Sequence, residues 1–380
     1  MGHAKGDILL KEASNRLANC VRESDTVARF GGDEFTILLS ELHDTDSVDR
    51  VIQDILQALS EPFQLDGEIA YVSVSIGVTC YPDDGTETEV LLKNADQAMY
   101  AAKAAGRNGF SYYTPAMQAT AQFRMRLAND LRGALSENQL WVAYQPIIDL
   151  KSGKIIKAEA LVRWQHPNHG LINPAEFISV AEHIGLINDI GEFVFHQAAK
   201  QAKRLQEIYN KDFQISVNVS PVQINDKSGK YKPWRQQLNK LGLSGESIVV
   251  EITEGILLEA NTSIAGKLLE FRDAGIQVAL DDFGTGYSSL SYLKKFDIDY
   301  IKIDQSFIRN LSPKSGDLAL CEAMIVMAHK LGLKVIAEGV ETAVQHELLS
   351  KIGCDFAQGY LFSRPVSADV LEKILLNKKV

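Results

Sequence analysis

Eight short apolar runs between residues 141 and 358 each end at, or closely bracket, a polar side chain able to do chemistry. They are Trp141–Gln145, Ile155–Glu159, Ile215–Asn218, Ile248–Glu251, Val278–Asp282, Tyr300–Lys302, Val335–Glu338 and Phe356–Gln358. Seven of the eight are followed by a stretch long enough to hold a helix. Strand-length runs alternating with helix-length segments describe an α/β chain folded as a (β/α)8 TIM-like barrel, which delivers side chains from its strand ends into one mouth. One connection breaks the regular pattern. Only Lys151-Ser152-Gly153-Lys154 separates Leu150 from Ile155. A parallel crossover needs about a dozen residues or more, and a hairpin roughly two to five. The first barrel strand is therefore predicted to run antiparallel to the second.

The side chains gathered in this way are mostly carboxylates: Glu159, Glu251, Asp281, Asp282 and Glu338, joined by Asn218, Lys302 and Arg163. Five carboxylates cannot share a cleft as bare charges, because like charges raise one another's pKa and burial opposes ionisation. A divalent cation resolves the conflict, and an all-oxygen donor set suits magnesium or manganese. Glu251 follows three β formers, a costly place for a carboxylate with no cation nearby. Asn218 lies inside the apolar run Ile215–Ser220 and is read as a buried amide in need of partners. Adjacent strand residues face opposite ways, so Asp281 and Asp282 reach one site only if the chain bends there, and Gly284 and Gly286 permit that. Taken singly, Glu159 reads equally as a strand-end glutamate facing solvent and Lys302 as a lysine snorkelling to water. Their joint occurrence at successive strand ends is what points to a site.

Residues 1–113 follow a different plan. Helical spacing over Asp7–Cys20 leads to two β runs, Val27–Phe30 and Phe35–Leu39, joined by Gly31-Gly32-Asp33-Glu34, where glycine supplies positive φ for a hairpin. A helix at Ser47–Leu59, a strand at Tyr71–Cys80 and a helix at Glu87–Ala105 closed by Gly106 follow. The pattern breaks at Tyr112–Pro115 and helical spacing resumes from Ala116 to Leu135. The expected division is an α+β domain over 1–113, a linker over 114–122 that opens a connecting helix, and a barrel over 123–380. A net charge of −10 disfavours long nucleic acid, whose phosphates demand a basic surface. No apolar stretch approaches the ~18 residues needed to span a bilayer. The four cysteines are scattered without a metal-binding or CxxC spacing, as in a protein of the reducing cytoplasm.

Glu159-Ala160-Leu161, Asp281-Asp282-Phe283-Gly284-Thr285-Gly286 and Glu338-Gly339-Val340-Glu341 together resemble the EAL family of cyclic dimeric GMP phosphodiesterases over residues 123–380. The resemblance implies that Glu159, Asn218, Glu251 and Asp281 hold a first metal, and that Asp281 bridges to a second held also by Asp282. It implies that Lys302 holds the attacking water and that Glu338 assists both the water and the second metal. Arg163 corresponds to an arginine on a substrate phosphate, Gln145 and Gln358 to glutamines near the site, and Asp304 to a residue beside the guanine pocket. Glu254 and Glu341 correspond to acidic residues bracing the Asp281–Leu290 loop. Val162 stands where leucine is usual, and Pro221-Val222 where Ala-Arg is common. The implied reaction is two-metal hydrolysis of cyclic dimeric GMP to linear pGpG, with Mg²⁺ or Mn²⁺ supporting turnover and Ca²⁺ inhibiting it. A non-hydrolysing receptor for the same nucleotide is the alternative, and a homodimer through the barrel is implied.

Arg29-Phe30-Gly31-Gly32-Asp33-Glu34-Phe35 resembles the GGDEF signature of diguanylate cyclases, and Lys103, Gly106, Arg107 and Asn108 match that family's closing motif. Asp7 matches a guanine-contacting aspartate. Arg22 and Asp25 sit at the spacing of the family's inhibitory product-binding site, a possible second nucleotide site. The family's opening helix and metal-bearing central strand precede the turn at Gly2-His3. The domain is therefore expected to be incomplete, with an unpaired strand edge and no cyclase activity, and the chain to be part of something longer, with sensor domains upstream and a membrane tether among the expected arrangements of the parent protein.

Overall fold

In a computed structural model of the chain, the described residues are 3–40, 45–65, 67–106, 108–225, 234–258, 262–285 and 296–377. The chain divides into two compact units, Met1–Met125 and Arg126–Val380.

The first unit is α+β. After the helix His3–Asn19 come β1 (Thr26–Gly31) and β2 (Glu34–Leu38), then the helix Thr45–Ser60, β3 (Phe63–Leu65), β4 (Glu68–Ala70) and β5 (Ser75–Val78), then the helix Thr88–Ala104 and β6 (Gly109–Tyr112). The signature hairpin closes with Gly31 opposite Glu34, and Gly32 takes φ +52°, where a side chain would be strained. β5 and β6 pair in parallel, with the intervening helix as the crossover. Among the described residues the strands pair only two by two, in three separate sheets. Open edges result, and Phe30 on β1 is 70% exposed. The run Tyr71–Cys80 is a strand only over Ser75–Val78, because the four-residue β6 is its whole ladder partner. Leu17, Ile55, Leu59, Phe63, Leu65 and Ala70 form the core of this unit. Gly2 and Arg107 lie outside the described residues.

One helix, Pro115–Ala134, leads from the first unit's sequence into the second's. Proline at its first position sets φ and costs no hydrogen bond there.

The second unit is a closed barrel of eight strands: β7 (Leu140–Asp149), β8 (Ile155–His166), β10 (Gln214–Asn218), β11 (Ile248–Thr253), β12 (Gln277–Phe283), β13 (Tyr300–Ile303), β14 (Lys334–Ala337) and β15 (Phe356–Ala357). β9 (Gly170–Ile172) adds a hairpin strand to β8. β7 runs antiparallel to both its neighbours, β8 and β15, and the other barrel pairings are parallel. The four-residue turn at Lys151–Lys154 dictates that reversal, as its length requires. Glu159 does not close its strand. β8 continues to His166, because β7 pairs with it as far as Trp164 and β9 pairs beyond.

The barrel interior packs Ile147, Val249, Ala279, Tyr300, Ile336 and Phe356 against one another. Lys157 lies among them. It is 3% exposed, and its ammonium sits 3.5 Å from the Tyr300 ring centroid and 5.1 Å from that of Phe356. Cation–π attraction therefore takes the place of hydrogen bonds for this group. No described helix is long and apolar enough to cross a membrane.

Candidate active site

Lys302 occupies the centre of the barrel mouth. It is 1% exposed, so the snorkelling alternative is excluded. Its Nζ lies 2.6 Å from Glu251, 2.7 Å from Glu338, 3.2 Å from Asp281 and 3.8 Å from Glu159. Those four carboxylates come from β11, from the residue after β14, from β12 and from β8. Burial alone would depress the ammonium, but Glu159, Glu251, Glu338 and Asp281 together hold its pKa well above the ordinary lysine value.

The carboxylates divide by environment. Burial opposes ionisation of Glu159, yet Lys302 and the amides of Gln358 and Asn218 outweigh it and hold the carboxyl below its usual range. Burial and the neighbouring charge of Glu159 push Glu251 well up. Burial also raises Glu338, to about 7, against the opposing pull of Lys302. Asp282 is raised by burial, then by the charges of Asp281 and Asp304. One ammonium does not neutralise five acids.

Asp281 and Asp282 reach the same site by the bend that period-two geometry demanded. The β12–β13 register shifts between Leu280 and Phe283, and Asp282 takes φ +55°. The Asp282 N–H donates to Asp281 Oδ1 at 3.0 Å. Carboxylate oxygens of Asp281, Asp282 and Glu338 lie within 4.8 Å of one another. Gly284 makes the bend possible. Its φ is +98°, and a Cβ there would stand 2.8 Å from Phe307 and 3.1 Å from Met324.

The amides complete the ring. Asn218 Nδ2 donates to Glu159 Oε1 at 2.7 Å, and Gln358 Nε2 to Glu159 Oε2 at 2.6 Å. Asn218 is exposed rather than buried, a correction to the reading of its apolar run. It ends β10 at the mouth, with Glu159 on one side and solvent on the other. Arg163 is half-buried on β8, and the charge of Glu159 acts on it against the lowering effect of burial. Its Nη1 donates to Val162 O at 2.9 Å.

The remaining residues fall in different places. Glu254 is buried and accepts the Gly284 N–H at 3.3 Å, so it touches the bend. Glu341 is exposed, and Gly286–Leu290 of the loop that it was expected to brace lie outside the described residues. Asp304 caps the helix Gln305–Arg309 by accepting the Ser306 N–H at 2.9 Å. In the first unit, Asp25 accepts the N–H groups of Ser40 and Arg22, which hold its carboxyl below the usual range, while Arg22 is exposed. Asp25 thus closes its own turn.

The donor set fits divalent cations. All the groups are hard oxygens, and Glu251 Oε1 is buried with no hydrogen-bond partner among the described residues. Sequence reasoning missed Lys157, whose pKa burial lowers to about 7. The signal was available, since Lys157 shares the inward phase of Glu159 two residues on.

A closed barrel with one reversed strand carries carboxylates, amides and a central lysine at its mouth. The family model described as "EAL domain" matches residues 128–365, and the chain belongs to that family. The model "Diguanylate cyclase, GGDEF domain" matches residues 1–109. The chain is 40% identical over 372 residues to the bifunctional diguanylate cyclase/cyclic di-GMP phosphodiesterase MucR of Pseudomonas aeruginosa, covering 97% of this chain and 54% of MucR. It is 38% identical over 372 residues to the cyclic di-GMP phosphodiesterase PdeR of Escherichia coli, covering 98% of this chain and 56% of PdeR. It therefore spans about half the length of these relatives. Among solved structures, the PaMucR phosphodiesterase in complex with c-di-GMP is similar, with a TM-score of 0.61 and 39% identity over 65% of this chain and 99% of that one.

Proposed function

We propose that the barrel hydrolyses c-di-GMP to linear pGpG with two Mg²⁺ or Mn²⁺ ions. The observation that carries this reading is the convergence of four carboxylates on Lys302 Nζ beside the Asp281–Asp282–Glu338 triad. Glu159, Asn218, Glu251 and Asp281 would hold one cation, and Asp281 with Asp282 the other. The cations would neutralise charge developing on the phosphoryl oxygens and lower the pKa of water. Lys302 would orient that water or help deprotonate it, with Glu338 assisting. Arg163 would grip a phosphate of the substrate and Asp304 would line the nucleotide pocket, with Gln145 and Gln358 near the site.

The reading extends to the rest of the chain. Residues 1–113 would form the GGDEF-like domain without cyclase activity, 114–122 the linker and 123–380 the phosphodiesterase. Arg22 and Asp25 would offer a second nucleotide site only if Asp25 released its turn. The helix Gly316–Lys330 supports a homodimer. Its Leu320 and Val326 are 49% and 52% exposed, while Met324 packs beside Gly284 at the bend. Leu320 lies one turn before Met324 on the same side of the helix, so a second copy covering Leu320 would sit beside the contact that Met324 makes at the bend. Four unpaired cysteines support a cytoplasmic protein.

The test is incubation of purified protein with c-di-GMP and Mg²⁺, Mn²⁺ or Ca²⁺, followed by chromatography of the products. Linear pGpG should form with the first two cations, with Ca²⁺ inhibiting. Glu159→Ala should abolish it, and hydrolysis by that variant at near wild-type rate would refute the metal assignment. Binding of c-di-GMP without cleavage would instead make the barrel a receptor.

A further inference from the structure

We infer that Gln145 and Gln358 form an amide relay that positions Glu159 for metal binding, so that both act through this carboxylate rather than on substrate. The inference rests on the metal-site reading above and changes the role of these two residues within it.

The hydrogen bonds diverge from the Gln358 amide, one branch reaching Glu159 and the other passing through Gln145 to the backbone. Gln145 Nε2 donates to the backbone carbonyl of Ser363 at 3.2 Å. That leaves Gln145 Oε1 to accept, and it receives Gln358 Nε2 at 2.9 Å. The same Gln358 amide donates to Glu159 Oε2 at 2.6 Å. Both ends of the chain are groups that can only accept: a peptide carbonyl and an ionised carboxylate. Neither amide can be flipped without setting oxygen against oxygen, so the orientation of each is determined by the network. Gln145, Glu159 and Gln358 are 8%, 5% and 4% exposed, and in such surroundings a misdirected amide is costly.

Three elements supply the relay. Antiparallel pairing sets Gln145 on β7 directly opposite Glu159 on β8. Gln358 follows β15, and its backbone is tied to β14 and the turn beyond it by the Gln358 N–H to Ala337 O and the Val340 N–H to Gln358 O. Asn218 holds the other oxygen of Glu159 at 2.7 Å. Both carboxylate oxygens are thus fixed by side-chain amides, which sets the plane of the carboxylate before any cation arrives. Outer groups of this kind orient metal ligands, and losing one typically costs about 10- to 100-fold in metal affinity.

The experiment is calorimetric titration of Mn²⁺, without nucleotide, into the full chain and its Gln358→Leu, Gln145→Leu and doubly substituted forms. Circular dichroism melts check folding, with Gln358→Met as the near-isosteric replacement should the leucine variant not fold. Gln358→Leu should weaken Mn²⁺ binding roughly 10- to 100-fold. Gln145→Leu should weaken it less, and the double variant should be no worse than Gln358→Leu alone, because the residues act in series. At saturating Mn²⁺, the KM for c-di-GMP should stay near the wild-type value. Unchanged Mn²⁺ affinity with a raised KM would make these residues substrate contacts and overturn the relay, and additive losses in the double variant would overturn it too. A wild-type protein that binds Mn²⁺ but leaves c-di-GMP intact would remove the enzymatic reading, while the Mn²⁺ titrations would still decide the relay.

Discussion

Replacing Lys302 by methionine keeps the length of the side chain and removes the charge on which four carboxylates converge. The ammonium has contacts of 2.6, 2.7, 3.2 and 3.8 Å and is 1% exposed. Breaking a buried ionic network by deleting one partner costs about 3–5 kcal/mol, because the partners left behind are buried and unpaired. For a unit of this size that corresponds to a fall of roughly 6–20 °C in Tm. The loss should be largest in chelator at pH 8, above the value of about 7 to which Glu338 is raised, because the acids are then most fully ionised. Adding Mg²⁺ or Mn²⁺ should restore much of the Tm, since a divalent cation replaces the missing positive charge. The assay is a thermal melt followed by circular dichroism, with and without metal, at pH 6 and pH 8. A variant melting within about 2 °C of wild type in chelator at pH 8, a shift worth less than ~1 kcal/mol, would refute the claim that Lys302 offsets the carboxylate cluster.

Three further outcomes are expected. Glu338 has its carboxyl raised from 4.5 to about 7 in the metal-free protein, so its ionisation disfavours the folded state; stability should fall as pH rises through that window by at most about 3 kcal/mol, and Glu338→Gln should flatten the dependence in chemical denaturation at pH 5 and pH 8. Gly284→Ala forces a Cβ to 2.8 Å from Phe307 at φ +98°; it should cost about 1–3 kcal/mol and lower kcat, measured by melting and turnover. Leu320→Glu together with Val326→Glu should shift sedimentation from dimer to monomer with the barrel still folded, because both side chains are already exposed in a single chain.

The reversed first strand was legible because a four-residue turn admits no crossover helix. The bend at Asp281–Asp282 was legible because strict alternation forbids both carboxylates on one face. Other features depend on closure of the barrel, which no local pattern encodes. Asn218 reads as buried from its apolar neighbours, yet its place as the last residue of β10 leaves it open to the mouth. Glu159 reads as a strand end, but pairing with β7 and β9 extends the strand to His166. Lys302 is visible as a lysine in an apolar run, while its position amid four acids requires β8, β11, β12 and β14 to be brought together. In the first unit, β3 and β4 have only three residues each, too few for a period to register. The lumenal lysine at 157 could have been found by counting two back from Glu159.

The β7–β8 ladder slips by one residue between Ile147 and Ile148, since Ile147 pairs with Lys157 but Ile148 with Ile155. That single unpaired residue, Ile156, acts as a counting device. It fixes the parity that brings Gln145 face to face with Glu159. Excising one residue on the mouth side of it would leave the hairpin intact while turning one partner outward. The chemistry at the rim is thus specified partly by arithmetic carried out deeper in the wall.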